Sequence, residues 1–110
     1  MFFEPGKGHG LPHNPFKAIV APRPIGWIST RAGDGTANLA PYSFFNAIND
    51  TPPVVMFSSS GRKDSVEIAE ATGEFVCNFV GEALFEAMSQ TSFAYERGVS
   101  EFAAAGLAEA

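Results

Sequence analysis

The clearest pattern in the chain is an alternation of period two over residues 25–30. Ile25, Trp27 and Ser29 fall on one face of a strand there, and Gly26, Ile28 and Thr30 on the other. Residues 16–21 read as a shorter strand upstream. Pro22 and Pro24 follow, and each pushes the residue before it out of the α region. Ala32, Gly33, Asp34 and Gly35 supply the positive φ that a hairpin turn needs, and residues 36–48 return as a second strand. Pro41 lies inside that strand and predicts an edge position, a bulge or a bend. A turn over residues 49–53 leads to residues 54–58, apolar on both faces and therefore expected to be buried.

Helical spacing takes over next. Residues 64–72 predict a helix with Asp64 as N-cap and Glu67 three positions later, ended by Gly73. Residues 74–80 form a further strand, with Phe75, Cys77 and Phe79 on one face. Residues 82–90 give a second helix, apolar at Leu84, Phe85 and Met88. Residues 99–110 read as Ala-rich helix anchored by Phe102 and Leu107. Residues 1–14, broken by prolines and glycines, form an extended N-terminal arm, and residues 15–110 form the domain. Strands come first and are joined by hairpins, while the helices are short and late. The fold class is mainly β (α+β), an antiparallel barrel-like sheet with helical decoration rather than βαβ units. So few strands close a barrel poorly, and the chain reads as a shortened version of a larger domain.

Composition narrows the function classes. A chain of 110 residues is one domain with room for a core. Hydrophobic residues at 45% against 17% charged exclude a disordered chain. A net charge of −5 with no block of Lys or Arg argues against a nucleic-acid backbone or a polybasic membrane contact. No apolar run approaches the ~18 residues of a membrane-spanning helix. The first residues lack the basic start and apolar core of a signal peptide. One cysteine, Cys77, excludes an internal disulfide and fits a reducing compartment, so a cytoplasmic location is expected. Eleven phenylalanines suggest aromatic walls as well as an aromatic core.

Three segments carry candidate chemistry. Ser58, Ser59, Ser60, Gly61, Arg62, Lys63 and Ser65 lead into the 64–72 helix. A helix N-terminus with free N–H groups, two cations, hydroxyls and a permissive glycine describes a phosphate cradle. The plainer alternative is a capped helix with solvated basic residues. The second segment is Asn38, Leu39, Ala40, Pro41, Tyr42, Ser43, Phe44, Phe45 and Asn46. A proline bend there frees backbone groups for the edge of a planar heterocycle, with aromatics for its face. A bent strand with a Phe-rich core is the alternative. In the third segment, residues 23–30, Gly26 signals close approach by another part of the chain or by a ligand. His9 and His13 stand four apart in a non-helical arm with no Glu or Cys beside them, so they read as surface rather than metal ligands. Cys77 reads as a buried, inert thiol. No nucleophile–base arrangement and no acid–base pair stands out, so no catalytic residue is assigned.

Residues 15–30 (PFKAIVAPRPIGWIST), residues 38–46 (NLAPYSFFN), and residues 52–58 (PPVVMFS) followed by Gly61, Arg62, Lys63, Asp64 and Ser65 resemble the flavin reductase-like family. The resemblance covers roughly residues 15–107. It implies an antiparallel Greek-key FMN-binding split barrel of six strands, incomplete in this chain, that dimerises with FMN near the interface. It implies that Asn38, Ala40, Pro41, Tyr42, Ser43 and Asn46 line the isoalloxazine ring. Ser58, Ser60, Gly61, Arg62, Lys63 and Ser65 would then form the phosphate end, with Ser29 and Thr30 as pocket wall. The implied activity is hydride transfer from NAD(P)H to the flavin, with electrons passed to oxygen, another acceptor or a partner monooxygenase. A non-catalytic FMN-binding module and a truncated interaction fragment are the alternatives. Being shortened, the chain is expected to bind FMN weakly or only as a homodimer.

Overall fold

The computed structural model describes residues 2–96 and 98–109. Its centre is a three-stranded antiparallel sheet in the order β2-β1-β5, with β1 at Gly26–Arg31, β2 at Ala37–Tyr42 and β5 at Val76–Asn78. The β1–β2 hairpin closes as its sequence demands. The Gly35 N–H donates to the Ala32 carbonyl at 2.9 Å, and Gly35 takes φ 91. The Asp34 carboxylate accepts from the Thr36 N–H at 2.9 Å, and bonding to Thr36 holds its pKa below the usual value.

Burial is concentrated on this sheet. Among the described residues the buried apolar side chains are Trp27, Ile28, Ala37, Leu39 and Tyr42, and Ile28 has no exposed surface at all. Cross-strand pairing puts Thr30 opposite Asn38 and Ile28 opposite both Ala40 and Cys77. Helix α2 (Asp64–Thr72) is fastened to that layer by the Asn38 Nδ2–H, which donates to Ser65 Oγ at 2.7 Å. Trp27 is tied at its indole instead: Nε1–H donates to Thr91 Oγ1 at 2.9 Å, and Thr91 Oγ1–H donates to the Met88 carbonyl. That satisfies the one polar atom the indole buries.

The strand expected over residues 36–48 is broken in two. β2 ends at Tyr42, the chain turns at Ser43 and Phe44, and β3 (Phe45–Asn49) pairs with β4 (Val54–Phe57) as a separate antiparallel ribbon. Pro41 is not the break. It lies within β2 opposite Trp27, on an edge strand. Two residues earlier, the Leu39 N–H on that open edge donates to Glu101 Oε2 at 3.3 Å. By the period of two, Pro41 lacks its donor on the side where the ladder needs none. The ribbon meets the sheet through aromatic rings: Tyr42 on Phe57 at 4.9 Å, and Phe57 edge-on to Phe75 at 5.0 Å.

Other expectations need correction. Residues 16–21 are not a strand. Phe16–Ile19 form a helical turn, α1, because the Asn14 side chain accepts from the Phe16 N–H at 2.9 Å. At its other end, Arg23 Nη1 donates to the Lys17 and Val20 carbonyls at 2.6 and 2.7 Å. The N-terminal arm contains a 3₁₀ turn at Pro5–Lys7. The 64–72 helix is present, but Lys63, with extended backbone, is its N-cap and Asp64 its first residue. Gly73 ends it in the left-handed conformation, as expected. Val54, Val55 and Met56 are 40–43% exposed rather than buried, since a two-stranded ribbon cannot cover both its faces. β5 is only three residues long. Residues 82–90 divide into a 3₁₀ turn (Glu82–Leu84) and α3 (Phe85–Gln90). Among the described residues of the Ala-rich segment 99–110, helix is confined to Glu101–Ala104, α4, and Gly106 lies just beyond with φ 67. Among the described residues no helix is long and apolar enough to cross a membrane.

Candidate functional site

The outer edge of β2, the start of α2 and the loop after α3 enclose a cleft of about 330 Å³, within the usual range for small-molecule sites. β2 contributes Asn38, Ala40, Pro41 and Tyr42. Lys63, Asp64 and Ser65 come from the start of α2, and Thr91, Ser92, Phe93, Ala94, Tyr95 and Glu101 complete the wall. Tyr42 is only 6% exposed, yet its hydroxyl has no hydrogen-bond partner among the described residues. Tyr42 thus brings to the cleft lining a buried polar atom that the described residues leave unsatisfied. Among the described residues, the charged side chains lining the cleft are Lys63, Asp64 and Glu101.

Of the residues singled out in the sequence, the cleft brings together Asn38, Ala40, Pro41, Tyr42, Lys63 and Ser65. Ser43 sits half-buried in the corner between β2 and β3, and Asn46 is exposed on β3 opposite Met56. Ser58 is exposed, and its backbone N–H donates to the Phe44 carbonyl at 2.8 Å. Ser60 and Gly61 are exposed ahead of α2, with Gly61 at φ 89. Arg62 turns away along α2, where its guanidinium meets the Glu70 carboxylate at 2.6 Å. Ser29 and Thr30 line a different cavity, of about 390 Å³, with Phe75, Asn78 and Phe102. Within it, Asn78 Nδ2 donates to Ser29 Oγ and to the Trp27 carbonyl, each at 3.0 Å.

Sequence reading missed the 91–95 loop and Glu101. Thr91 enters through its bond to Trp27, 64 residues away, and Glu101 through a backbone N–H on β2. Neither forms a local motif. Arg23 opens the third segment, but its contacts were not foreseen. Its guanidinium lies 5.6 Å from the Phe44 ring and ties the α1 turn to the β2–β3 corner. The close approach signalled by Gly26 comes from within the chain: a Cβ there would stand 2.5 Å from the Phe45 ring. His9 Nδ1 accepts from the Leu11 N–H at 3.0 Å, and its ring stands edge-on to Phe3.

Cys77 is exposed rather than buried, because β5 is an edge strand. Partial desolvation still pushes its thiol above the ordinary value. Only the thiolate is alkylated. Iodoacetamide labelling of the folded chain is therefore expected to reach half its plateau rate at a higher pH than in the urea-unfolded chain. Coincident profiles would place the thiol in water.

A central antiparallel sheet and a second ribbon joined to it through rings give the chain a split-barrel fold, with a cleft beside a helix start. A family model described as "Flavin reductase like domain" matches residues 20–110, and the chain belongs to that family. Among similar proteins is an uncharacterised protein of Aquifex aeolicus (strain VF5), 50% identical over 94 residues that span 81% of this chain and 48% of that one. Among solved structures, the nitrilotriacetate monooxygenase component B of Bacillus cereus superposes with a TM-score of 0.81 at 26% identity, over 96% of this chain and 55% of that one. A Shewanella frigidimarina NCIMB 400 protein with a split barrel domain, assigned as a flavin reductase, superposes with a TM-score of 0.69 at 27% identity, over 74% of this chain and 43% of that one. The chain spans about half the length of the relatives it matches.

Proposed function

We propose that this chain carries the FMN-binding part of a flavin-dependent oxidoreductase of the flavin reductase type. The observation that carries the reading is the cleft itself, where Tyr42, the start of α2 and Lys63 line one volume. Tyr42 would donate its buried O–H to a ligand oxygen. Lys63 and the first N–H groups of α2 would hold the phosphate. Ser65 is already engaged by Asn38, so that pair fixes the distance between the strand wall and the phosphate end. Ala40 and Pro41 supply apolar wall on which a flat ring can rest. Bound FMN would supply the redox chemistry, taking a hydride from NAD(P)H and passing electrons to oxygen, another acceptor or a partner monooxygenase. Residues 15–110 act as the N-terminal part of the domain in this reading. A cytoplasmic homodimer belongs to it too, supported by the exposed apolar β3–β4 ribbon.

The test begins with an absorption spectrum after loading with FMN and removing the excess, followed by anaerobic NADH or NADPH. Retained flavin that bleaches supports the reading. Retained flavin that stays yellow points to an FMN-binding module, and no retained flavin at any protein concentration overturns the reading. Lys63→Ala is expected to weaken FMN about tenfold, the low end for a charge-assisted hydrogen bond because Lys63 is exposed, and to leave riboflavin nearly unchanged. Titration with both flavins checks it, and equal losses would place the phosphate elsewhere.

A further inference from the structure

The outer wall of the cleft, residues 91–95, is held against the sheet with little apolar burial. Of residues 82–96, Thr91 alone is buried, at 2% exposure. Ala87, Met88 and Tyr95 are half-buried, and the others are exposed, Phe85 and Phe93 among them. A stretch with so few buried apolar contacts belongs to the low-stability end of a structure. The wall is nevertheless one piece with α3. Three hydroxyls cap successive carbonyls at the end of that helix. Thr91 Oγ1–H donates to the Met88 carbonyl at 2.7 Å, Ser92 Oγ–H to Ser89 at 2.6 Å, and the Tyr95 hydroxyl to Gln90 at 3.1 Å. The Thr91 hydroxyl also faces the other way. While donating to α3 it accepts from Trp27 Nε1–H at 2.9 Å, and Trp27 is buried within β1. One oxygen therefore serves both helix and sheet, using its donor and an acceptor lone pair at once. The buried point of this unit is thus polar, and its bond to the sheet is a neutral hydrogen bond of modest net strength.

We infer that Thr91 is the anchor of a movable cleft wall: its hydroxyl, shared between the Trp27 indole and the Met88 carbonyl, holds α3 and residues 91–95 against the sheet, and the wall opens when the indole bond breaks. Thr91 and the rest of the loop line the cleft, so opening widens it and a ligand seated there holds it closed. For that ligand the inference rests on the flavin reading above and concerns the regulation of the same site. Thr91 is a positioning residue, acting through the wall it holds.

The experiment exposes the folded wild-type chain, Thr91→Val, Thr91→Ser and Trp27→Phe to chymotrypsin, with and without FMN. Mass spectrometry follows the cuts after Tyr42, Phe93 and Tyr95. Proteolysis of a transiently opened segment tracks its open population. Losing one neutral hydrogen bond is expected to raise cleavage after Phe93 and Tyr95 about two- to tenfold in Thr91→Val. Trp27→Phe removes the donor and should raise the same cuts. Thr91→Ser keeps the hydroxyl and should stay near wild type. Cleavage after Tyr42, buried in β2, should not change in Thr91→Val, and FMN should slow the two loop cuts in the wild-type chain. Loop cleavage unchanged in Thr91→Val, or raised equally in Thr91→Ser, overturns the inference. So does a rise after Tyr42 equal to that after Phe93, which would mean that the whole chain unfolds. FMN that binds without slowing the loop cuts severs the wall from the ligand and leaves the flavin site standing. A wild-type chain that binds no flavin overturns the flavin reading, while the variants without FMN still decide the anchor.

Discussion

Ile28→Ala is expected to lower the unfolding free energy by about 2–5 kcal/mol. Ile28 lies at the centre of β1, paired with Ala40 on one side and Cys77 on the other, and no part of it is exposed. α2 packs over the same sheet, so truncation leaves a cavity that the surrounding strands and helix cannot close. For a domain that buries few large side chains this is a large fraction of total stability. Urea denaturation followed by far-UV circular dichroism measures it. A loss below about 1 kcal/mol would mean that the site collapses around the smaller residue.

Gly26→Ala is expected to cost about 1–3 kcal/mol, by overpacking rather than by a cavity. The added methyl would stand 2.5 and 2.6 Å from Phe45 Cδ2 and Cγ and 3.1 Å from its Cβ. Rotation about χ2 leaves Cγ in place, and clearing it by a new χ1 would swing the whole ring out of its packing and still leave Cβ at 3.1 Å. Phe45 opens β3, and the clash should therefore pry the β3–β4 ribbon from the sheet. The same substitution in a Phe45→Ala background should cost much less, and that cycle is the check. An undiminished cost would locate the clash in the backbone.

The parts of the fold that local chemistry decides were legible in the sequence. The alternation around Trp27, the Asp34-Gly35 turn and the Gly73 stop each depend on residues within a few positions. Burial was not legible, because it depends on what covers a strand. The apolar run at Val54, Val55 and Met56 reads as a core strand but forms half of a two-stranded ribbon. Residues 16–21 misled for a related reason: their apolar spacing suits a strand, while Asn14 and Arg23, at the two ends, hold a helical turn. The candidate site divides in the same way. Asn38, Tyr42, Lys63 and Ser65 stand in local motifs and meet in one cleft. Arg62 stands in the same motif, but a carboxylate eight residues along draws it elsewhere. Glu101 and Thr91 join through contacts that cross more than sixty residues.

The indole–hydroxyl bond between Trp27 and Thr91 gives the molecule an internal optical reporter. The chain has a single tryptophan, buried in the sheet, with its ring nitrogen held by a residue that also forms part of the cleft wall. Its emission colour reads the dryness of the core. Its intensity would read the cleft under the proposed function, since a flavin bound there would lie close enough to accept its excitation. Folding, and flavin occupancy under that reading, would therefore be written into two separate features of one natural fluorophore, without a label.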